Sequence, residues 1–406
     1  NRVANLARVF LNESNFLKVG NPCRKTLFNL LLFIYMIIAV NTRLNKETQP
    51  EGYEEFLFSL LHHLTKIFPQ HQFIYIFDTP FKNILFPKNV TPVVAGPKAS
   101  SNLRLQYWFN YRIPAILRKY NADVFVSLEG ICSLRTKVPQ CLLLSDLSFL
   151  NYPELLKKSQ AGFYRKFTSA FLAKAKSIAT VSAFSKSLIT SRYKINAEEI
   201  AVIKPAIDAN FTPIDWEKKE LVKEKYAEGK AYFLFSGNSS QRSNLINLLK
   251  AFTFFKKRQK SNMMLLIAGN ADEAFKKELK TYKLRNEVKL LEGLDKAGLA
   301  KITAAAYAMV YPVFYDDMAL AALQALQCNV PLVMSDSGSL PAVFGEAALY
   351  VNPESFEDIA QKMMLVFKDE DKAKELVKAG NELLLQHQHG KNADLLMECI
   401  LKAANS

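Results

Sequence analysis

The chain is poor in cysteine and histidine, and each shortage excludes a class of protein. Its 406 residues contain 5 Cys, at positions 23, 132, 141, 328 and 399, without a C-x-x-C pair. Cysteines so few and so far apart cannot form a disulfide framework for a chain of this length. This favours a reducing compartment, where thiols stay unpaired. The 5 His, at positions 62, 63, 71, 387 and 389, lack the H-E-x-x-H spacing. We therefore expect no zinc or other metal site.

Long apolar runs are also scarce. The one candidate membrane segment, residues 26–40, has about 15 mostly apolar residues, whereas a bilayer span needs about 20. Arg24 and Lys25 precede it, as in an anchor or signal peptide, but no small-x-small cleavage site follows. A third interpretation is that Met36 starts the protein and residues 1–35 are upstream read-through. Anchor, read-through and a genuine extra helix all stay open.

Acidic residues are in the minority. Lys and Arg number 53 against 38 Asp and Glu, which gives a net charge of +15 and favours negatively charged partners. No nucleic-acid-binding motif or basic stripe interleaved with aromatic residues is evident, so nucleic acid is not an expected partner. We expect a cytoplasmic protein with peripheral contact to an anionic cytoplasmic membrane. A soluble basic enzyme without such contact fits the charge equally well.

From Met36 onward, short apolar segments alternate with longer amphipathic ones. The short segments predict buried parallel strands at residues 37–40, 73–77, 90–94, 124–127 and 142–144. Apolar spacing predicts helices at 54–68 and 161–175. A further strand from Ser177 is followed by a helix capped by Ser182 that ends near Tyr193. This alternation predicts a doubly wound α/β domain over residues 36–203.

The alternation restarts after residue 230, which predicts a second Rossmann-like domain over residues 230–385. Its six strands are expected at residues 232–235, 263–267, 288–291, 309–311, 332–334 and 348–351. Residues 204–229, with Pro205, Pro213 and a charged helix at 216–226, predict an interdomain linker. Residues 386–406 predict a C-terminal helix that crosses back onto the first domain. Neither half has a clean G-x-G-x-x-G, so no nicotinamide or flavin cofactor is expected.

Specific motifs lie in the second half, in a characteristic order. They are residues 232–237 (YFLFSG), 241–252 (QRSNLINLLKAF), 264–269 (MLLIAG), 308–315 (AMVYPVFY), 328–333 (CNVPLV) and 335–341 (SDSGSLP). Together with residues 205–213 (PAIDANFTP), this order resembles family 4 of the glycosyltransferases, which have the GT-B fold. The resemblance covers residues 36–390. It implies two domains facing across a cleft that holds a nucleotide-sugar against the second domain and an acceptor against the first.

The resemblance implies a donor site in the second half. Arg242 matches an arginine that stabilises the leaving phosphate, while Ser243 stands where the family has lysine. Asp316 and Gln324 align with the family's two glutamates, Glu-x7-Glu. Arg242 and Asp316 are therefore candidate catalytic residues, and the candidate donor-binding residues are Gly237, Ser243, Gly269, Tyr315, Gln324, Ser339 and Leu340.

The resemblance also implies residues in the first half. Ser145 and Asp146 stand where the family has His-Asp, and Asp146 is the third candidate catalytic residue. Gly52 lies in the loop where the family has G-x-G. Gly52 and Ser145 are therefore expected on the acceptor side.

Departures from the family concentrate at these positions. Ser145 and Ser243 are two such departures. Gln324 is a third, because it cannot make the charge-assisted hydrogen bond of the family's glutamate, and residues 317–319 (DMA), which replace Gly-Phe-Gly, are a fourth. Four lost contacts of about 1.5 kcal/mol each would weaken transition-state binding by about 6 kcal/mol. That corresponds to about 10⁴-fold in rate.

Two functions therefore stay open, and with them the question of whether the chain is an enzyme. One is metal-free, retaining transfer of a sugar from a nucleotide-sugar to a glycan or lipid-linked acceptor. The other is a degenerate, non-catalytic subunit that pairs with an active transferase in polysaccharide assembly. The sequence identifies neither the donor's sugar nor its base.

Overall fold

The computed structural model describes residues 35–44, 52–81, 84–385 and 391–406. The alternatives for the leader, apart from Tyr35 at its end, concern residues outside this description. Within the described residues, no helix is both long and apolar enough to cross a membrane.

The first unit is built on a parallel sheet of seven strands, in the order β3-β2-β1-β4-β5-β6-β7. The order reverses at β1, which pairs with both β2 and β4. The predicted strands are confirmed to within two residues, whereas the three-residue edge strand β7, which precedes the linker, was missed. The strands are β1 (Ile37–Asn41), β2 (Gln72–Phe77), β3 (Val90–Val94), β4 (Val124–Ser127), β5 (Gln140–Leu143), β6 (Ser177–Thr180) and β7 (Ile200–Val202).

Amphipathic helices cover this sheet. In α1 the residues Leu57, Leu60, Leu61 and Leu64 form the buried face, at the spacing of one helix stripe. The Ser182 hydroxyl accepts a hydrogen bond from the Ser185 amide and caps α6, as the sequence predicts. The helices are α1 (Tyr53–Ile67), α2 (Asn102–Tyr107), α3 (Ile113–Lys119), α4 (Ser148–Asn151), α5 (Lys158–Lys174) and α6 (Ala183–Tyr193).

The second unit is built on a parallel sheet of six strands, in the order β10-β9-β8-β11-β12-β13, which reverses at β8. All six predicted strands are present. They are β8 (Tyr232–Ser236), β9 (Met264–Ala268), β10 (Val288–Leu291), β11 (Ala308–Tyr311), β12 (Leu332–Ser335) and β13 (Ala348–Val351). The helices are α7 (Trp216–Ala227), α8 (Leu245–Gln259), α9 (Glu273–Thr281), α10 (Lys296–Ala304), α11 (Leu320–Gln327), α12 (Leu340–Phe344), α13 (Phe356–Lys368) and α14 (Glu370–Leu385).

The boundary between the two compact units falls between Ile203 and Lys204. The C-terminal helix α15 (Lys391–Ala404) belongs to the first unit, where the Cys399 carbonyl accepts a 2.7 Å hydrogen bond from the Ser177 hydroxyl. Each unit encloses an apolar core around its sheet. Two doubly wound sheets confirm the predicted α/β class. In such sheets ligands bind beyond the carboxyl ends of the strands, near the strand where the order reverses.

Candidate functional site

Two glycines shape the carboxyl edge of the second sheet. Gly237 follows β8 with φ +146°, and Gly269 follows β9 with φ +139°, both in the region that favours glycine. The Gly237 amide donates to the Ala268 carbonyl at 2.8 Å. A Cβ on Gly269 would lie 2.4 Å from the Gly237 carbonyl oxygen, so the two backbones approach too closely for any side chain there.

The loops after β8 and β9 are hydrogen-bonded to each other. The Ser239 amide donates to the Asn270 carbonyl at 2.8 Å, and the Asn270 amide donates to Asn238 Oδ1 at 2.7 Å. The Asp272 amide, at the start of α9, donates to Ser239 Oγ at 2.6 Å. The backbone around both glycines is thereby held in one arrangement.

Arg242 and Ser243 close the loop after β8. Arg242 is half-buried in a 3₁₀ turn, and its carbonyl accepts a 2.8 Å bond from the Phe314 amide in the loop after β11. Ser243 is buried, and its hydroxyl donates to the Asn238 carbonyl at 2.5 Å. The serine that replaces the family's lysine thus fastens its own loop from inside.

Asp316 lies in the loop that follows β11, and both of its oxygens accept hydrogen bonds. The Tyr311 hydroxyl donates to Oδ2 at 2.7 Å, and the Met318 amide donates to Oδ1 at 2.9 Å. The pKa of the Tyr311 hydroxyl lies well above its usual value. Burial is the larger cause, and the nearby Asp316 carboxylate is the second. Tyr311 therefore stays protonated and acts as a donor to Asp316.

The other predicted donor-binding residues of this region are buried. The Tyr315 hydroxyl donates to Asp317 Oδ2 at 2.5 Å. The Ser339 hydroxyl contacts the carbonyls of Asp316 and Asp317, each at 3.2 Å, and joins two loops. Leu340 begins α12, and Gln324 lies on α11 with 3% of its surface exposed. The structure thus brings Arg242, Asp316, Tyr315 and Ser339 into one connected set of loops.

Sequence reasoning gave no role to Asn244. This residue adopts a left-handed conformation before α8, and it is buried. Its Nδ2 donates to the carbonyls of Pro312 at 2.8 Å and Pro353 at 2.6 Å. One side chain therefore ties the loop after β8 to segments that follow β11 and β13. An asparagine directly before an apolar helix was the available signal.

The predicted residues of the first half of the chain lie at separate places. Asp146 follows β5, and its Oδ1 accepts a 2.8 Å bond from the Ser148 amide, while its neighbour Ser145 is half-buried. Gly52 is exposed before α1 with φ +55°, and a Cβ there would contact nothing within 4 Å.

A polar cluster that the sequence did not identify lies where the first sheet reverses its order. Arg43, just after β1, forms an ion pair with Glu129, just after β4. Asn41 Nδ2 donates to Glu129 Oε1 at 2.9 Å. Burial lowers the pKa of the Arg43 guanidinium, but the Glu129 carboxylate more than offsets this, so the pKa lies above its usual value. Arg43 therefore stays charged, and its ion pair with Glu129 lies at the position where such sheets bind ligands.

Comparisons with known proteins agree with this architecture. Residues 217–383 match the family described as Glycosyl transferases group 1. O-antigen chain mannosyltransferase B of Escherichia coli is 28% identical over 229 residues, which cover 55% of this chain and 60% of that protein. O-antigen chain mannosyltransferase RfbU of Salmonella typhimurium is 24% identical over 271 residues, which cover 65% of this chain and 72% of that protein.

A solved structure has the same fold. The crystal structure of WaaG, a glycosyltransferase involved in lipopolysaccharide biosynthesis, superposes with a TM-score of 0.75 at 13% identity, covering 89% of this chain and 99% of that one. The chain therefore has the GT-B fold, and its residues 217–383 are similar to the glycosyl transferases of group 1.

Proposed function

We propose that the chain is a retaining glycosyltransferase. It transfers a sugar from a nucleotide-sugar to a glycan or lipid-linked acceptor in polysaccharide assembly, on the cytoplasmic side of the membrane and without a metal ion. The observation that carries the proposal is the approach of the Gly237 and Gly269 backbones at the edge of the second sheet. A backbone free of side chains there lets a diphosphate approach the main chain closely.

The chemistry requires positive charge beside that backbone. Departure of the nucleotide develops negative charge on its terminal phosphate, and a cation already in place lowers the barrier. Arg242 lies in the loop that leaves Gly237, and its turn is tied to Phe314. In the proposed mechanism Arg242 holds the leaving phosphate, and Asp316, held by Tyr311 and Met318, keeps the neighbouring loop in shape.

The acceptor is proposed to bind the first unit. Its carboxyl edge presents Asn41 with the Arg43–Glu129 pair, and Ser145 and Asp146 follow the next strand. Fixed charges and amides of this kind suit hydroxyl groups of a sugar, which both donate and accept hydrogen bonds.

One observation favours the second candidate, a non-catalytic subunit that pairs with an active transferase. Ser243 directs its hydroxyl into its own loop, so it does not replace the charge of the family's lysine. Gln324 likewise offers no carboxylate to a ribose. The two candidates differ in one measurable respect, because only the enzyme consumes the donor.

Thermal shift and turnover with a panel of UDP-, GDP- and ADP-sugars test the proposal. We expect at least one donor to raise the melting temperature and to be hydrolysed or transferred slowly, with the anomeric configuration retained in the product. We expect Arg242→Ala to abolish the thermal shift and to lower turnover by about 10²-fold to 10³-fold, as expected for removal of one charge-stabilising donor. Excess EDTA should leave turnover unchanged.

Arg285→Ala is the matched control. Arg285 also lies in a 3₁₀ turn, but that turn precedes β10 and lies at the opposite edge of the sheet. This variant should keep both the shift and the turnover. A shift without turnover would instead support the non-catalytic subunit, and neither shift nor turnover with any donor would reject nucleotide-sugar binding altogether.

A further inference from the structure

A cavity of about 350 Å³ lies beside α8 in the second unit. Residues of α8, of the end of α9 and of the start of α13 line it. Its volume falls in the range of about 300–1,000 Å³ that small-molecule sites occupy. None of the residues proposed above for the donor or the acceptor is in its lining. We call it the α8 cavity.

Much of the lining of the α8 cavity is apolar. Ile246, Leu249 and Phe254 contribute from α8, and Phe356 contributes from the start of α13. The Phe254 and Phe356 rings meet edge to face with centroids 6.5 Å apart. Ile246 is 42% exposed, so the apolar surface reaches solvent, where a ligand can enter.

Hydrogen bonds between two helices give the cavity a fixed shape. Thr253 Oγ1 of α8 and the Tyr282 hydroxyl, which follows α9, lie 2.6 Å apart. The Tyr282 hydroxyl also donates to the Leu249 carbonyl at 2.7 Å. Because these bonds join α8 to the end of α9, the cavity exists before any ligand binds.

Two exposed lysines add positive charge to the lining. Lys250 and Lys257 lie on one face of α8, seven residues and therefore about 10 Å apart. Among the described residues neither lysine has a carboxylate in an ion pair, whereas Lys256 between them is paired with Glu287. Glu278 is the acid of the lining, so two bases outweigh one acid.

The sequence around the cavity is also basic. Helix α8 contains 4 Lys and Arg and no Asp or Glu. Residues 250–285 contain 10 Lys and Arg against 3 Asp and Glu. A concave site in such a region attracts anions, because like charges around it add their potentials.

We propose that the α8 cavity binds a small organic anion with an apolar body, such as an aromatic carboxylate or phosphate ester. The apolar body displaces water from Phe254 and Phe356, and the anionic group is met by Lys250 or Lys257. An inorganic anion would leave the apolar lining in water, and a neutral apolar molecule would leave the ammonium groups without a counter-ion. The proposal holds whether or not the chain transfers sugar.

Fluorescence titration of the full chain with anilinonaphthalene sulfonate, an apolar ring system that carries one sulfonate, tests the proposal. We expect saturable binding that phenylbutyrate displaces, whereas phenylbutanol and inorganic phosphate at the same concentration do not. Lys250→Gln combined with Lys257→Gln should weaken binding at least about 10-fold because the charge-assisted contact is lost. Ile246→Glu should weaken it similarly because a carboxylate then faces the anion.

Lys374→Gln with Lys378→Gln is the matched control. These two exposed lysines of α14 line a separate cavity of about 620 Å³ in the same unit. This variant should bind the probe as the unchanged chain does. All variants should melt within about 2 °C of the unchanged chain because the altered side chains are exposed, and a glutamate in the first turn of α8 suits the helix dipole.

Several results would overturn the proposal. They are the absence of saturable binding, equal displacement by phenylbutanol and phenylbutyrate, or unchanged affinity in the Lys250 and Lys257 variant. Equal loss in the control variant would place the probe beside α14 instead, and displacement by a nucleotide-sugar would place it in the donor site. The nucleotide-sugar thermal shift should be the same in all these variants, which separates this test from that of the transferase.

Discussion

Ala319 stands immediately before α11 with φ +45° and ψ 44°, a left-handed conformation. The family resemblance aligns it with a glycine. A left-handed backbone costs an ordinary residue about 1–2 kcal/mol relative to glycine. The chain has changed the residue and kept the backbone, which indicates that the loop conformation is held by its other contacts, such as those of Asp316 and Ser339.

Ala319→Gly tests this strain. Relief of the left-handed conformation offsets the loss of one buried methyl group and the greater entropy of glycine, so we expect the free energy of unfolding to change by less than about 1 kcal/mol. Ala322→Gly, at a buried position inside the same helix, has no strain to relieve and should destabilise by about 1–2 kcal/mol. Urea unfolding measures both. Equal destabilisation by the two variants would contradict the claim that the left-handed backbone at Ala319 is strained.

At the scale of elements, the loops after β8 and β9 approach each other closely through their backbones at Gly237 and Gly269. Gly237 and Gly269 share the glycine-favouring region of φ but differ in their surroundings. A Cβ on Gly237 would meet the Phe235 ring at 3.5 Å, an ordinary contact, whereas a Cβ on Gly269 would meet backbone at 2.4 Å. Only Gly269 is therefore required by the packing of two elements.

We expect Gly237→Ala to destabilise by about 1–3 kcal/mol, the cost of its backbone conformation alone. Gly269→Ala should lose about 1–3 kcal/mol more because the two strand ends must also move apart. Urea unfolding of the two variants gives the difference, and circular dichroism of the folded chains checks that each still folds. A Gly269→Ala variant no less stable than Gly237→Ala would mean that the two loops separate without cost.

At the scale of the whole molecule, one buried histidine links stability to pH. His71 lies between α1 and β2, is 1% exposed, and packs near the rings of Phe68 and Phe73. Among the described residues, neither of its ring nitrogens has a hydrogen-bond partner. Burial lowers the pKa of this imidazole, so the folded chain holds it neutral.

The unfolded chain takes up a proton below about pH 6.5, which the folded chain does not, so acid favours unfolding. We expect the free energy of unfolding to fall as pH falls below about 6.5, by up to about 1.4 kcal/mol for each pH unit, and His71→Leu to flatten this slope. Changing His62 and His63 together to Gln removes the two exposed histidines of α1, and this variant should keep the part of the slope that His71 causes. A slope that persists in His71→Leu would assign it to other groups.

The periodicity of apolar residues and the helix-capping residues in the sequence determined most of the secondary structure. The strands of both sheets and the Ser182 cap are predictable because strand burial and helix capping act over a few residues. The order of motifs also indicated the family that the second unit resembles. The edge strand β7 escaped prediction, and its pairing with β6 is what makes it a strand.

Only the tertiary structure decided what the polar side chains do. The inward turn of Ser243 and the bonds of Asn244 to Pro312 and Pro353 depend on where distant loops come to lie. The Arg43–Glu129 pair likewise joins residues 86 positions apart. Such contacts leave no periodic pattern in the sequence, because folding brings the partners together across strand order and loop path. Local periodicity therefore determined the elements, and long-range packing decided which charges are paired and which are exposed.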